Sequence, residues 1–436
     1  MKVFKFLIVV YFIFLGIIIL NSCSESSSNP PLSERGKVIN FGQSTKIDTN
    51  WFLNEISTID HSDPHFLSYK DVIDSIRAKK AQLFVPMFAQ FDYKSVNNQK
   101  NIANLSGLII FPFSVNKQEV SNLPVICLTH ATEIMRKHAP SSFNLSFDDF
   151  PEVAIGIIIA ATGYVVVMPD YQGMGKDDGE FHPFCNAELL GMASADMISA
   201  VRDFVAKYEC PFGLSKQNFF MGYSEGGFVT LAATREFEKT YPNFTLSGSV
   251  PMSGPYDLTG TMAGVMLADT AFPQPYFLPY VIRGYQEIYP AYFPWDSVLN
   301  SGYLNSIPPL MDGFHNADAI NSVMPKDKVL KKIFNDSFIA KLQDKNSDVF
   351  KKLYENNLGQ GWAPKTLVHF LHCKLDDCVP YNNTVVAYNY FHDVLNLSNV
   401  TKEEPELYLP IGQTTHVNAC PGCFLYGFMW IAEHSD

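Results

Sequence analysis

One six-residue segment limits how this chain can fold more than any other. Gly222-Tyr223-Ser224-Glu225-Gly226-Gly227 follows the apolar run Phe219-Phe220-Met221 and leads into a helical pattern from Phe228 to Phe237. The spacing predicts a strand over 218–223 and a helix over 226–241. The turn between them is so tight that side chains at 222 and 226 would clash, and the strain lifts the Ser224 hydroxyl clear of the main chain. The helix N-terminus and the Glu225 amide then face any oxyanion formed beside that hydroxyl. Gly-x-Ser-x-Gly by itself recurs by chance. A strand before it and a helix after it separate this copy from an ordinary Gly-Ser turn.

The same alternation runs through much of the chain. Strands are expected over 105–113, 124–129, 164–168 and 246–253, and helices over 152–162 and 193–208. Strands alternating with helices imply an α/β protein with a mostly parallel central sheet flanked by helices. The chain has 436 residues, 47% of them hydrophobic, which is ample for so large a core. From Thr261 to Trp362 the regularity stops in favour of aromatic and proline-rich sequence followed by amphipathic stretches. A strand over 366–371, a helix near 383–394 and a strand over 406–410 then resume the pattern. The expected organisation is a core of residues 46–260 and 363–436, with a mainly helical lid, 261–362, inserted between two core strands.

A presented serine needs a base, and the base needs an orienting group. The strand over 366–371 runs into His372-Cys373-Lys374-Leu375-Asp376-Asp377-Cys378-Val379-Pro380. A carboxylate just past a strand end, with Val-Pro fixing the next turn, suits the orienting acid; Asp376 is preferred and Asp377 is its rival. Forty residues on, the polar loop Ile411-Gly412-Gln413-Thr414-Thr415-His416 can bring an imidazole back to Ser224. His416 is therefore the expected base.

Serine turn, acid turn and late histidine, in this order, resemble the α/β-hydrolase fold. More narrowly, Gly163-Tyr-Val-Val-Val-Met-Pro-Asp170-Tyr-Gln-Gly-Met-Gly175, then His182-Pro183 and Gly-Tyr-Ser-Glu-Gly-Gly, is similar to the secretory lipase family and its bacterial relatives. The resemblance covers roughly residues 80–432 and implies a carboxylic ester hydrolase with a helical lid between elbow and acid. It also implies an oxyanion hole built from the Glu225 amide and a residue just beyond the third strand, here in Thr129-His130-Ala131-Thr132. Many α/β-hydrolases carry His-Gly there, so Ala131 departs from the pattern, and both Ala131 and Thr132 stand as second donors. Cys373 is a further departure, since such acid turns often carry glycine.

The N-terminus reads as an address. Lys2 and Lys5 precede a 15-residue apolar run, 6–20, too short to span a bilayer and the right length for a signal peptide. It ends in Leu20-Asn21-Ser22-Cys23, resembling a bacterial lipoprotein signal in which Cys23 is lipidated, although Asn21 is a looser fit. Residues 1–22 are thus expected to be cleaved and 23–45 to form a tether. The protein would be exported and held on a bacterial membrane by its lipid, on the periplasmic or cell-surface side. Loss of Lys2 and Lys5 moves the formal charge from −12 to −14. So acidic a chain lacks the basic stripe a nucleic-acid surface requires.

Seven further cysteines remain. Cys373, Cys378, Cys420 and Cys423 gather near the acid and histidine, and in an exported chain structural disulfides are expected there rather than a zinc site. Gly173-x-Gly175 is no dinucleotide fingerprint, because Asp178 stands where the third glycine belongs. Neither cofactor nor metal is expected, and the substrate is expected to be a small-molecule or lipid ester. Two other readings share these residues. A prolyl-peptidase-like enzyme has the same fold and triad but adds a large propeller domain, for which this chain is too short. A non-catalytic binding lipoprotein on a hydrolase scaffold would have no need of all three residues.

Overall fold

A computed structural model describes residues 33–48, 84–114, 120–145, 150–177, 179–407 and 414–435. Its strands are β1 (Val38–Phe41), β2 (Thr45–Lys46), β3 (Val85–Val96), β4 (Ile102–Phe113), β5 (Val120–Thr129), β6 (Val165–Pro169), β7 (Phe212–Tyr223), β8 (Thr245–Met252), β9 (Val368–Leu371) and β10 (Val400–Glu403). They form one sheet in the order β1-β3-β4-β6-β5-β7-β8-β9-β10, with β2 paired to β3. The end containing β1 to β4 is antiparallel. From β6 through β5, β7, β8 and β9 to β10 every pair is parallel.

Parallel strands are buried on both faces, so they read as unbroken apolar runs. All five residues of β6 are buried. Successive side chains of a strand face opposite ways. Val125 and Cys127 accordingly join a core with α2 (Ala187–Lys207) and α3 (Glu225–Thr240). Ile126 and Leu128 join a second core with α1 (Pro151–Ala161) and the last helix, His416–Glu433. The fold is thus the α/β-hydrolase sandwich, helices on both faces of a mainly parallel sheet.

Between β8 and β9 the chain leaves the sheet and forms α4 (Ala263–Met266), α5 (Phe277–Ile288), α6 (Trp295–Val298), α7 (Ala317–Val323), α8 (Asp336–Gln343) and α9 (Asp348–Tyr354). Edge-to-face ring pairs such as Tyr285–Phe293 and Phe293–Phe338 hold this insertion together. It is tied to the core where the Tyr280 hydroxyl donates to the Glu133 carbonyl at 2.8 Å. After β9 come α10 (Asn382–Asn389) and, at the end of the described chain, α11 (His416–Glu433).

Three expectations need correction. Residues 33–45, the described part of the expected tether, are not tether: β1 and β2 pair with β3, and Arg35 forms a buried ion pair with Asp196 at 2.8 Å. Among the described residues the last strand is Val400–Glu403; of the strand expected over 406–410, residues 406 and 407 are not in a strand and 408–410 lie outside the described residues. Pro405, which lacks an amide for the ladder, instead opens a 3₁₀ turn over Pro405–Leu407. His416 does not sit in a loop but begins α11, which continues through Pro421. Residues 1–22 and Cys23 lie outside the described residues. Among the described residues no helix is long and apolar enough to cross a membrane.

Candidate active site

Ser224 ends the β7 segment and starts α3 with φ +59° and ψ −120°, a left-handed conformation costly for any residue but glycine. Packing enforces it. A Cβ at Gly222 would lie 2.1 Å from Thr129 Oγ1, and one at Gly226 2.0 Å from the Thr129 carbonyl oxygen. Only glycine lets β5 approach the turn this closely. On the other side the Ser224 amide donates to the Met252 carbonyl at 2.9 Å, tying the turn to β8.

His416 Nε2 lies 2.8 Å from Ser224 Oγ, and His416 Nδ1 lies 2.6 Å from Asp376 Oδ2. All three residues are buried. Tyr223, beside the serine, donates its hydroxyl to the His416 carbonyl at 2.6 Å. The carboxylate fixes the imidazole proton on Nδ1, leaving Nε2 free to accept the serine proton. Asp377, the rival acid, meets the same residue differently: its Oδ1 accepts the His416 backbone amide at 3.0 Å.

The second oxygen of Asp376 accepts the amides of Cys378 at 3.0 Å and Val379 at 2.7 Å. Burial works to raise the Asp376 pKa, but hydrogen bonds from His372 and His416 and their charge hold it well below the usual carboxylate range. His372 Nε2 is 2.8 Å from the Val379 carbonyl and 3.3 Å from Asp376 Oδ2, while Nδ1 faces the Thr384 hydroxyl at 2.8 Å. A carbonyl acceptor requires the proton on Nε2, so His372 braces the acid turn as a donor. Sequence reasoning gave His372 no role, although its place four residues before Asp376 at a strand end was a signal.

Glu225 buries its side chain completely and places Oε1 2.6 Å from His182 Nε2. Its amide belongs to the first turn of α3, where backbone donors have no partner within the helix. Ala131 and Thr132 separate at this point. The Ala131 amide donates to both carboxyl oxygens of Glu152, at 2.9 and 3.1 Å. Thr132 instead lines a pocket with Ser224 and Glu225. The rest of that pocket is apolar, walled by Leu258, Met262, Val265, Phe272 and Phe277 at and beyond the start of the insertion.

The disulfides expected at this corner are not formed: Cys127, Cys185, Cys210, Cys373, Cys378, Cys420 and Cys423 are all free. Their surroundings explain it. Cys378 lines the apolar pocket, whereas Cys420 and Cys423 lie on α11. Cys423 meets Cys373 as a neutral thiol, its pKa pushed well up by burial and by that neighbour. These thiols pack as small apolar groups.

Comparison with known proteins fits this geometry. A protein of Legionella pneumophila, provisionally assigned as a hydrolase, has a similar structure with a TM-score of 0.74 at 24% identity, over 91% of this chain and 98% of that one. The rice cell wall degrading esterase LipA from Xanthomonas oryzae gives 0.73 at 22% identity, over 92% and 100%. Candida antarctica lipase A gives 0.59 at 18% identity, over 88% and 78%. No curated protein matches the chain in sequence. The secretory lipase family model matches residues 152–408, more than half of the chain. That match spans the serine turn, the insertion and the acid turn, and this chain belongs to the secretory lipase family of lipase- and esterase-like hydrolases.

Proposed function

We propose that the protein is a serine carboxylic-ester hydrolase acting through Ser224, His416 and Asp376 and an acyl-enzyme intermediate. The observation that carries this reading is an unbroken run of contacts, 2.8 Å from Ser224 Oγ to His416 Nε2 and 2.6 Å from His416 Nδ1 to Asp376 Oδ2. Ser224 attacks the ester carbon as its proton passes to His416. The Glu225 amide and the 131–132 segment hold the oxyanion, and His416 returns the proton to the leaving alcohol. Water, activated by the same imidazole, then releases the acid. Asp376 stays ionised throughout, orienting His416 and stabilising the imidazolium.

The apolar pocket beside Ser224 receives the acyl group, and the insertion over 261–362 serves as the lid that supplies much of its wall. Residues 1–22 are the signal peptide and Cys23 the lipidated N-terminus, which puts the enzyme on a membrane outside the cytoplasm. A family of secretory lipases is in keeping with export.

The test is hydrolysis of p-nitrophenyl esters of graded chain length, set against aminoacyl-proline amides, by wild type and Ser224→Ala. Ester turnover that disappears in the variant supports the reading. Turnover of amides alone would make the protein a peptidase, and turnover of neither would leave a binding lipoprotein.

A further inference from the structure

We infer that Glu152 is a positioning residue that takes the Ala131 amide out of the oxyanion site, so that the Thr132 amide completes that site with the amide of Glu225. The inference rests on the ester-hydrolase reading above and decides which backbone donors serve it.

The segment after β5 is pinned from several sides. The Ala131 amide is shared between the two Glu152 oxygens at 2.9 and 3.1 Å. The Ala131 carbonyl accepts from His130 Nδ1 at 2.7 Å, and the His130 carbonyl accepts the Tyr171 hydroxyl at 3.1 Å. The His130 ring stacks on Tyr171 with centroids 4.2 Å apart. An amide already held by two acceptors cannot turn to an oxyanion without breaking both contacts. Thr132 is different: among the described residues its amide has no partner, and it lines the same pocket as Ser224 and Glu225. The Glu225 amide is likewise unused by its helix. Both free donors thus belong to residues that line the pocket with Ser224.

The charge state of Glu152 suits this role. Burial pushes its pKa up to about 8, opposed by the Ala131 hydrogen bond and reinforced by the charges of Glu133 and Glu225. Below that value the carboxyl is neutral and sets no negative charge near an oxyanion.

The experiment is amide NMR of protein labelled with 15N-threonine or 15N-alanine, before and after a phosphonate reacts with Ser224. The phosphonyl oxygen occupies the oxyanion position. The Thr132 amide proton should move downfield and that of Ala131 should stay in place; the reverse would overturn the inference. Kinetics give a second arm. Glu152→Gln keeps an acceptor for Ala131 and should hold kcat within about threefold. Glu152→Leu should lower kcat roughly 10- to 100-fold with little change in KM, short of the 10²–10³ typical for loss of a whole donor. Wild-type kcat in both variants would remove Glu152 from the account. Failure of the phosphonate to react with Ser224 would instead sink the ester-hydrolase reading itself.

Discussion

Asp377 accepts the backbone amide of His416 at 3.0 Å and leaves the imidazole to its neighbour Asp376. Two consecutive carboxylates therefore hold one histidine by different groups, one capping its helix and the other orienting its ring. In the proposed mechanism only the second contact touches the proton transfer. Asp376→Asn should lower kcat by about 10⁴-fold. Asp377→Ala should cost less than about tenfold in kcat and about 1 kcal/mol in stability, as for loss of a helix cap. Steady-state kinetics and urea unfolding of the two variants check the division.

The low pKa of Asp376 fixes a sign for acid stability. Its carboxyl ionises more readily in the folded protein than in the unfolded chain, where the value is about 3.9. It therefore contributes stability above about pH 4, and that contribution is lost as pH falls towards the folded value. The stability gap between wild type and Asp376→Asn should be widest near neutrality and narrow below pH 4. Unfolding free energies measured from pH 7 to pH 3 test this, and a gap constant over that range would contradict it.

Glu152 predicts the opposite trend. Its folded pKa of about 8 lies above the ordinary carboxylate value, so between about pH 4.5 and 8 the folded protein holds a proton that the unfolded chain has lost. Folding stability attributable to Glu152 falls with rising pH across that window. Thermal unfolding of Glu152→Gln should gain on wild type as pH rises from 5 to 8.

Arg35 and Asp196 lie 161 residues apart in sequence, and their buried side chains meet through two hydrogen bonds, at 2.8 and 3.0 Å. Asp196 also accepts the hydroxyls of Ser95 and Tyr241, both at 2.6 Å. Removing the guanidinium leaves a buried carboxylate without its counter-charge. Arg35→Ala should destabilise the protein by roughly 3–5 kcal/mol while kcat is kept at low temperature. Urea unfolding with parallel ester assays measures both.

That ion pair also marks the limit of what sequence periodicity can reveal. Elements whose signal is local were legible. The all-apolar β6 and the small residues around Ser224 announce a buried strand and a tight turn without reference to anything distant. Elements defined by distant partners were not. β3 carries Gln90, Asp92 and Lys94 in its middle, yet it is a twelve-residue strand because it pairs along its whole length with β4. In addition, Asp92 finds Lys176 at 2.6 Å. α11 holds Pro421 and Gly422, residue types that disfavour a helix interior, and packing on the sheet keeps the helix intact. At the site, the order of serine, acid and histidine was readable. The grip of Glu152 on Ala131 was not, because it joins a helix start to a strand end.

The free thiols give a chemical check on the corner around Asp376 and His416. Alkylation and peptide mapping without reduction should find Cys373, Cys378, Cys420 and Cys423 all modifiable after denaturation, and a reductant should leave turnover unchanged. A mapped Cys373–Cys423 or Cys378–Cys420 cross-link would contradict the structure.

The most direct test of the central claim is covalent labelling with an organophosphonate, read by mass spectrometry of the intact chain and its peptides. One adduct, on Ser224, is expected, and it should be lost in His416→Ala with the fold unchanged by circular dichroism. Labelling of another residue, or undiminished labelling of Ser224 in His416→Ala, would contradict the claim.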